Sequence, residues 1–311
     1  MDARKEFTAY IHQLQDTICQ AFEEIDGSAK FREDKWERPE GGGGRTRIIQ
    51  DGKVIEKGGV NISMVHGELS EALQNQLKVK HTTFFACGLS LVIHPLNPMV
   101  PTVHANFRFF ELYNTEGQAV DRWFGGGADM TPYYLWPEDA VHFHQVLKQT
   151  SDPYGLALYP QFKESCDRYF YNHHRQEARG IGGLFYDYLR EQKMGLSIAQ
   201  WQHYVQDMGR AFLDGYLPIM QKRKGEAFGE AEKKWQEIRR GRYVEFNLIH
   251  DKGTLFGLKS NGRIESILMS LPATVRWEYD HHPEANSPEA ALLDYLKPRD
   301  WANFTPSITI N

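Results

Sequence analysis

The sequence lacks the features that mark several common classes of protein. No apolar run approaches the roughly 18 residues of a membrane-spanning helix, and the N-terminus carries charged residues instead of the apolar segment of a signal peptide. Basic residues are not in excess, since the formal net charge is −5, and this argues against a nucleic-acid binder that depends on a basic face. We therefore expect no membrane span and no nucleic-acid partner.

Cysteine is also scarce. Cys19, Cys87 and Cys166 are far apart, odd in number and form no CxxC pair. This spacing fits reduced thiols better than a disulfide framework or a zinc site. The sequence therefore favours a cytoplasmic location.

Apolar material is plentiful enough for a large core, because 41% of the 311 residues are hydrophobic. Apolar residues recur at three- and four-residue steps from Phe7 to Ile25, which predicts an amphipathic helix. The apolar run 82–94 predicts a central strand. Strand patterns are mostly joined by hairpin turns, and helix patterns lie elsewhere. We therefore predict an α+β fold around a large antiparallel β-sheet, in a single domain over residues 1–311.

A glycine run and the C-terminal half give two further predictions. Gly41 to Gly44 fit either a flexible linker or a loop that folds over a ligand. In the C-terminal half, short strands are predicted at 243–249, 254–258 and 275–279.

The segment Pro101 to Pro132 carries the densest polar pattern. Alternation along 104–108 puts His104, Asn106 and Arg108 on one face of a strand. Turn residues at 114–117 predict a hairpin whose second strand covers 119–124. We expect this strand to end in a glycine loop at 125–127, and Asp129 follows directly after this loop. A polar strand face opposite such a loop predicts a ligand site.

Charged and metal-ligating residues favour an anionic ligand more than a metal. Arg108, Arg179 and Arg263 each lie beside small or turn residues, where a guanidinium can bind a carboxylate bidentately. A surface ion pair explains any one of them alone, and three together favour an anionic ligand. Thirteen histidines could bind a metal or carry protons, but no HExxH or two-His-plus-carboxylate spacing is present.

Four longer segments resemble the oxygen-dependent (aerobic) coproporphyrinogen III oxidase family, and the resemblance as a whole runs from about Trp36 to Trp301. They are PTVHANFRFFE, DRWFGGGADMTPYY, CDRYFYNHHRQEARGIGGLFYDYL and GTLFGLKSNGRIESILMSLP. The resemblance implies oxidative decarboxylation of two propionates of coproporphyrinogen III to vinyl groups, giving protoporphyrinogen IX in haem biosynthesis. It also implies a sheet flanked by helices on both faces, and a homodimer to whose interface Tyr243 to Tyr279 contribute.

The resemblance assigns roles to individual residues. Asp129 matches the family's aspartate that faces the pyrrole N–H groups, and His104 matches its proposed proton donor. Arg108 and Arg179 are the further catalytic candidates, with an arginine clamp orienting the reacting propionate. The substrate-contacting positions are Ser90, Asn106, Phe107, Arg108, Asn261, Gly262 and Arg263. The positions assigned to a divalent metal in bacterial members are His94, His104, His144 and His174.

One matched position departs from the family, since many members have glycine where this chain has Asn261. Asparagine tolerates the same left-handed turn. The tail 307–311 has no obvious counterpart, and no role is predicted for it.

The implied chemistry also bears on cofactors. Porphyrinogen is electron-rich, so the substrate itself can reduce molecular oxygen, the implied co-substrate. No flavin, NAD or haem is then needed, while a divalent metal cation is left open. Two alternatives remain: a non-catalytic tetrapyrrole-binding protein, and a metal-dependent oxygenase or hydrolase built on the histidines.

Overall fold

The computed structural model describes residues 2–69, 71–79, 82–259 and 262–305. Its strands are β1 (Arg32–Glu37), β2 (Gly42–Gln50), β3 (Ile55–Glu68), β4 (Thr83–Pro95), β5 (Thr102–Tyr113), β6 (Ala119–Thr131), β7 (Tyr171–Asn172), β8 (Glu177–Ala178) and β9 (Gly182–Leu189). Strands β1 to β6 lie side by side in chain order, and β9 pairs with β6 to complete a seven-stranded antiparallel sheet. The predicted α+β fold is confirmed.

Some of the helices begin at capping residues. They are α1 (Ala3–Asp26), α2 (Glu71–Leu77), α3 (Pro137–Ser151), α4 (Leu158–Tyr169), α5 (Ile198–Arg223), α6 (Glu230–Ile249), α7 (Lys252–Lys259), α8 (Ile264–Leu268) and α9 (Pro288–Tyr295). Helix α1 begins where Asp2 accepts a hydrogen bond from the Lys5 amide, and it ends at Gly27 in the left-handed region. Helix α5 begins with a capping box between Ser197 and Gln200.

The two faces of the sheet have different environments, because side chains alternate along each strand. On β5, Phe107 and Phe109 point into the main core, against α1 and α5. The opposite face carries His104, Asn106 and Arg108. Helices also pack on this second face, where the ring centre of Tyr243 in α6 lies 5.3 Å from that of His94 on β4. The implied arrangement, with helices on both faces of the sheet, is confirmed.

The strands predicted in the C-terminal half are wrong. Residues 243–249 lie in α6 and 254–258 lie in α7, and 275–279 have no regular structure. In α6, Tyr243, Phe246 and Asn247 are all buried. Their spacing of three and four residues is the helical period, and the aromatic and β-branched content obscured it.

Both glycine runs lie in strands, so the predicted loops are wrong. Gly42 to Gly44 belong to β2, between β1 and β3. Gly125 to Gly127 belong to β6, which continues through Asp129 to Thr131. At Gly127 φ is 151°, and a Cβ would collide with the Leu184 carbonyl of β9. Glycine there lets the two strands pair closely.

In the described ranges, no helix is both long and apolar enough to cross a membrane. The three cysteines are buried and free. The single-domain organisation stays a prediction.

Candidate active site

The antiparallel pairing of β5 with β6 places His104 directly opposite Asp129. The Nδ1 atom of His104 lies 2.9 Å from Oδ1 of Asp129. The two side chains differ in access, because His104 is 22% exposed and Asp129 only 1%. His104 therefore presents the pair to the open face of the sheet, and Asp129 lies behind it.

Arg179, between β8 and β9, holds the other side of Asp129. Its Nη2 lies 2.7 Å from Oδ1 of Asp129, and its Nε donates to Oδ2 at 3.2 Å. Its Nη1 donates to Oδ1 of Asn247 at 3.0 Å. The guanidinium also lies 4.0 Å from the ring centre of Phe170 and 4.7 Å from that of Phe246. Because Arg179 is buried with all three nitrogens engaged, this geometry does not offer it as a clamp for a substrate carboxylate.

Electrostatic interactions keep Asp129 and Arg179 ionised although both side chains are buried. Burial by itself would raise the pKa of Asp129, but the charge of Arg179 and the hydrogen bond from His104 outweigh it and hold the pKa below its ordinary value. Burial opposes the charge on Arg179 too, but attraction to Asp129 raises the pKa of the guanidinium. Asp129 is therefore a permanent carboxylate near neutral pH.

This carboxylate fixes the tautomer of His104. An ionised carboxylate accepts hydrogen bonds only, so Nδ1 of His104 carries the proton that it donates to Asp129. Among the described residues, Nε2 of His104 has no hydrogen-bond partner, and the ring edge packs on Phe170 with centroids 5.8 Å apart. An imidazole oriented in this way can accept a proton at Nε2 and return it.

A row of polar residues crosses the same face beside His104. Asn61, Ser90 and Asn106 are cross-strand neighbours on β3, β4 and β5, and Gly127 on β6 ends the row. Oδ1 of Asn106 is buried and has no hydrogen-bond partner in the described part of the chain. A buried acceptor without a partner costs free energy. This atom therefore predicts a ligand that donates a hydrogen bond.

The next row of residues across the same face has little side-chain volume and one positively charged side chain. We call this row the floor of the face. Ser63, Gly88 and Gly125 leave little side chain above the sheet, and Arg108 lies between the two glycines. The side chain of Arg108 is 40% exposed, and its Nη2 lies 2.6 Å from Oδ2 of Asp187. Small residues over several strands leave room for a flat molecule with an anionic group beside Arg108.

The other predicted contact residues are placed in different ways. Arg263, at the start of α8, lies apart from Asp129, on the β1 side of the face, where it pairs with Asp34. Gly262 bonds through its backbone N–H to the Gly257 carbonyl, and Asn261 lies outside the described residues. Phe107 is 1% exposed in the core of the opposite face, so only its backbone is within reach of a ligand here.

The predicted metal ligands do not come together. The ring nitrogens of His94 contact Thr102 and the Ser270 carbonyl, and those of His144 contact Tyr159 and the Ile181 carbonyl. Burial lowers the pKa of His144 to about 3. His104 contacts Asp129, as described above.

The fourth histidine lies in another environment. The ring nitrogens of His174 lie 2.8 Å from Glu245 and 2.9 Å from His250. Across the described ranges, no group of three or more His, Cys, Asp or Glu side chains is arranged to hold a metal ion. The four histidines therefore do not fit a common metal site in this chain, and metal binding stays a prediction.

Two site residues were missed in the sequence. Asn61 stands between the buried Val60 and Ile62, and this alternation could have placed it on the polar face. Asn247 lies on the buried stripe of α6 next to Phe246. Nothing in the sequence indicates that it contacts Arg179, since 68 residues separate the two.

The chain matches a known protein family. The matching family model is described as coproporphyrinogen III oxidase, and it covers residues 6–301, nearly the whole chain.

Proposed function

The chain belongs to the coproporphyrinogen III oxidase family, and we propose that it carries out the oxygen-dependent form of that family's reaction on the sheet face that holds His104. As a member of this family it is an oxidoreductase that acts on coproporphyrinogen III in haem biosynthesis. Conversion of each propionate to a vinyl group releases carbon dioxide, one proton and two electrons. In our proposal molecular oxygen accepts the electrons.

The floor of the face supports binding of a flat macrocycle. Ser63, Gly88 and Gly125 leave space above the sheet, and the unpaired Oδ1 of Asn106 is the complement of a pyrrole N–H donor. The side chains of Arg108 and Arg263, 40% and 29% exposed, supply positive charge for propionates. Each is already paired with an aspartate, so a bound carboxylate would compete with Asp187 or Asp34.

The hydrogen-bonded series His104–Asp129–Arg179 is the observation that carries the catalytic proposal. The family resemblance implied that Asp129 itself faces the pyrrole N–H groups, but its side chain is 1% exposed. We therefore assign the proton transfer to Nε2 of His104. Asp129 orients the imidazole and stabilises its protonated form, and Arg179 keeps Asp129 ionised. Asp129 and Arg179 are then positioning residues.

Oxygen dependence can be tested with the purified protein and coproporphyrinogen III. We expect vinyl product in air and none under nitrogen, because no other electron acceptor enters the proposal. Pretreatment with a chelator should leave the aerobic rate unchanged, since the four histidines do not share a site. Product formation is followed by chromatography of the oxidised porphyrins.

Each other outcome identifies a different function. Turnover under nitrogen at the aerobic rate would contradict oxygen dependence. Binding of the tetrapyrrole without turnover in air would support a carrier. Loss of activity on chelation, restored by a divalent cation, would support the metal-dependent oxygenase.

We also propose that the protein is a cytoplasmic homodimer. Several large apolar side chains are exposed in or near the segment Tyr243 to Tyr279, and unpartnered apolar surface of this kind favours association. They are Leu248, Ile249, Leu258, Ile264, Trp277 and Tyr279. The buried free thiols suit a reducing compartment.

Charges in this apolar segment should separate the subunits. The double variant Ile249→Glu/Ile264→Glu changes side chains that are 53% and 57% exposed, so the fold of each subunit should persist. We expect sedimentation velocity to show a dimer for the natural protein and a monomer for the variant. Leu156→Glu is the matched control, because Leu156 is 75% exposed but lies outside the segment. A variant that sediments as a dimer would show that the interface lies elsewhere.

A further inference from the structure

A buried threonine fixes the orientation of Asn61. Oγ1 of Thr46, a residue that is 2% exposed, lies 3.1 Å from Nε1 of Trp36, 2.6 Å from Oδ1 of Asn61 and 2.9 Å from Oγ of Ser266. The indole N–H can only donate, so Thr46 accepts from Trp36. The single hydroxyl hydrogen of Thr46 then goes to the short contact with Asn61, and Ser266 donates to Thr46.

This network leaves the amide nitrogen of Asn61 free. Because Oδ1 faces Thr46 on β2, Nδ2 is the amide atom left for another partner, and Ser90 is the neighbour of Asn61 on β4. In the described residues neither Nδ2 of Asn61 nor Oγ of Ser90 has a hydrogen-bond partner, and both residues are half-buried. Two unused donors therefore stand side by side on adjacent strands, roughly 5 Å apart.

We propose that Asn61 and Ser90 together bind one propionate carboxylate of the substrate, and this assignment rests on the proposed function. A carboxylate accepts hydrogen bonds only, so it suits two donors, and bonds to a charged acceptor are the stronger kind. Further along the same row, Asn106 presents an acceptor, Oδ1. The row therefore recognises a carboxylate at one end and a ring N–H at the other, roughly 10 Å away across two strand spacings. This polarity fixes how the macrocycle lies on the sheet.

Binding of coproporphyrin III, the oxidised form of the substrate, tests Asn61 without turnover. Asn61→Asp puts a carboxylate in the place of a donor, and we expect the dissociation constant measured by fluorescence titration to rise about 10- to 100-fold. Asn61→Ala removes the donor alone, and we expect a rise of about 3- to 10-fold. For the porphyrin tetramethyl ester, which lacks free carboxylates, Asn61→Asp should change the dissociation constant less than twofold.

The controls separate charge, fold and function. Asn75→Asp adds the same charge on the exposed surface of α2 and should bind as the natural protein does. Unchanged affinity for coproporphyrin III in Asn61→Asp would overturn the proposal, and Asn61→Ala carries the same criterion if the aspartate variant does not fold. Failure of the natural protein to bind coproporphyrin III or turn over coproporphyrinogen III would instead overturn the proposed function.

Discussion

Replacing His104 with asparagine is expected to lower turnover of coproporphyrinogen III by about 10²- to 10⁴-fold, the usual contribution of a general acid–base group. The shorter amide can still donate to Asp129 from the position of Nδ1, so the buried pair with Arg179 keeps its partner. What is lost is Nε2, the nitrogen that faces the open site. Turnover is measured in air at saturating substrate, with coproporphyrin III binding measured in parallel.

Binding separates this loss from a damaged site. We expect the dissociation constant for coproporphyrin III to change less than about threefold, since Nε2 acts in proton transfer. His203→Asn is the matched control, because His203 is exposed on α5. Near-natural turnover by His104→Asn would remove His104 from the mechanism.

The second large effect concerns the buried ion pair. Asp129→Asn leaves the guanidinium of Arg179, itself 3% exposed, without its counter-charge. Breaking a buried pair from one side typically costs about 3–5 kcal/mol, a large fraction of the roughly 5–15 kcal/mol that stabilises a typical fold. We expect both a fall in the free energy of unfolding, measured by urea denaturation, and the loss of most turnover.

A double variant separates the two effects. In Asp129→Asn/Arg179→Met no charge is left buried, so most of the lost stability should return. Turnover should not return, because nothing ionised orients His104. Asp121→Asn is the control, since the Asp121–Arg190 pair is partly exposed and such pairs contribute about 0–1 kcal/mol. Recovery of activity together with stability would show that Asp129 acts only through the fold.

The local part of the site could be predicted from the sequence. The alternation of His104, Asn106 and Arg108 predicted one strand face, and the turn chemistry at 114–117 predicted the hairpin; both are confirmed. These features depend on period and on neighbours a few residues away, which the sequence displays directly. The glycines at 125–127 were placed in a loop because glycine is usually unfavourable inside a strand. Here the close approach of the neighbouring strands requires it.

The contacts between residues that lie far apart in the sequence could not be predicted. Arg179 has the same local setting as an arginine that binds a ligand, and only its contact with Asp129, 50 residues away, shows that it is already paired. Residues 243–249 have a strand-like composition, and only packing of Tyr243 and Phe246 against Arg179 shows the helical period. Contacts of this kind depend on topology.

The strand order of the sheet has a consequence for folding during synthesis on the ribosome. Strands β1 to β6 pair with their neighbours in sequence, so each pairing is local and its closure costs little entropy. β9 joins the edge of β6 only after α3 and α4 have been synthesised. Until then Asp129 stands on an open edge, hydrated and without Arg179. A nascent chain that emerges N-terminus first can therefore assemble most of its sheet early, while catalytic competence waits for the last strand.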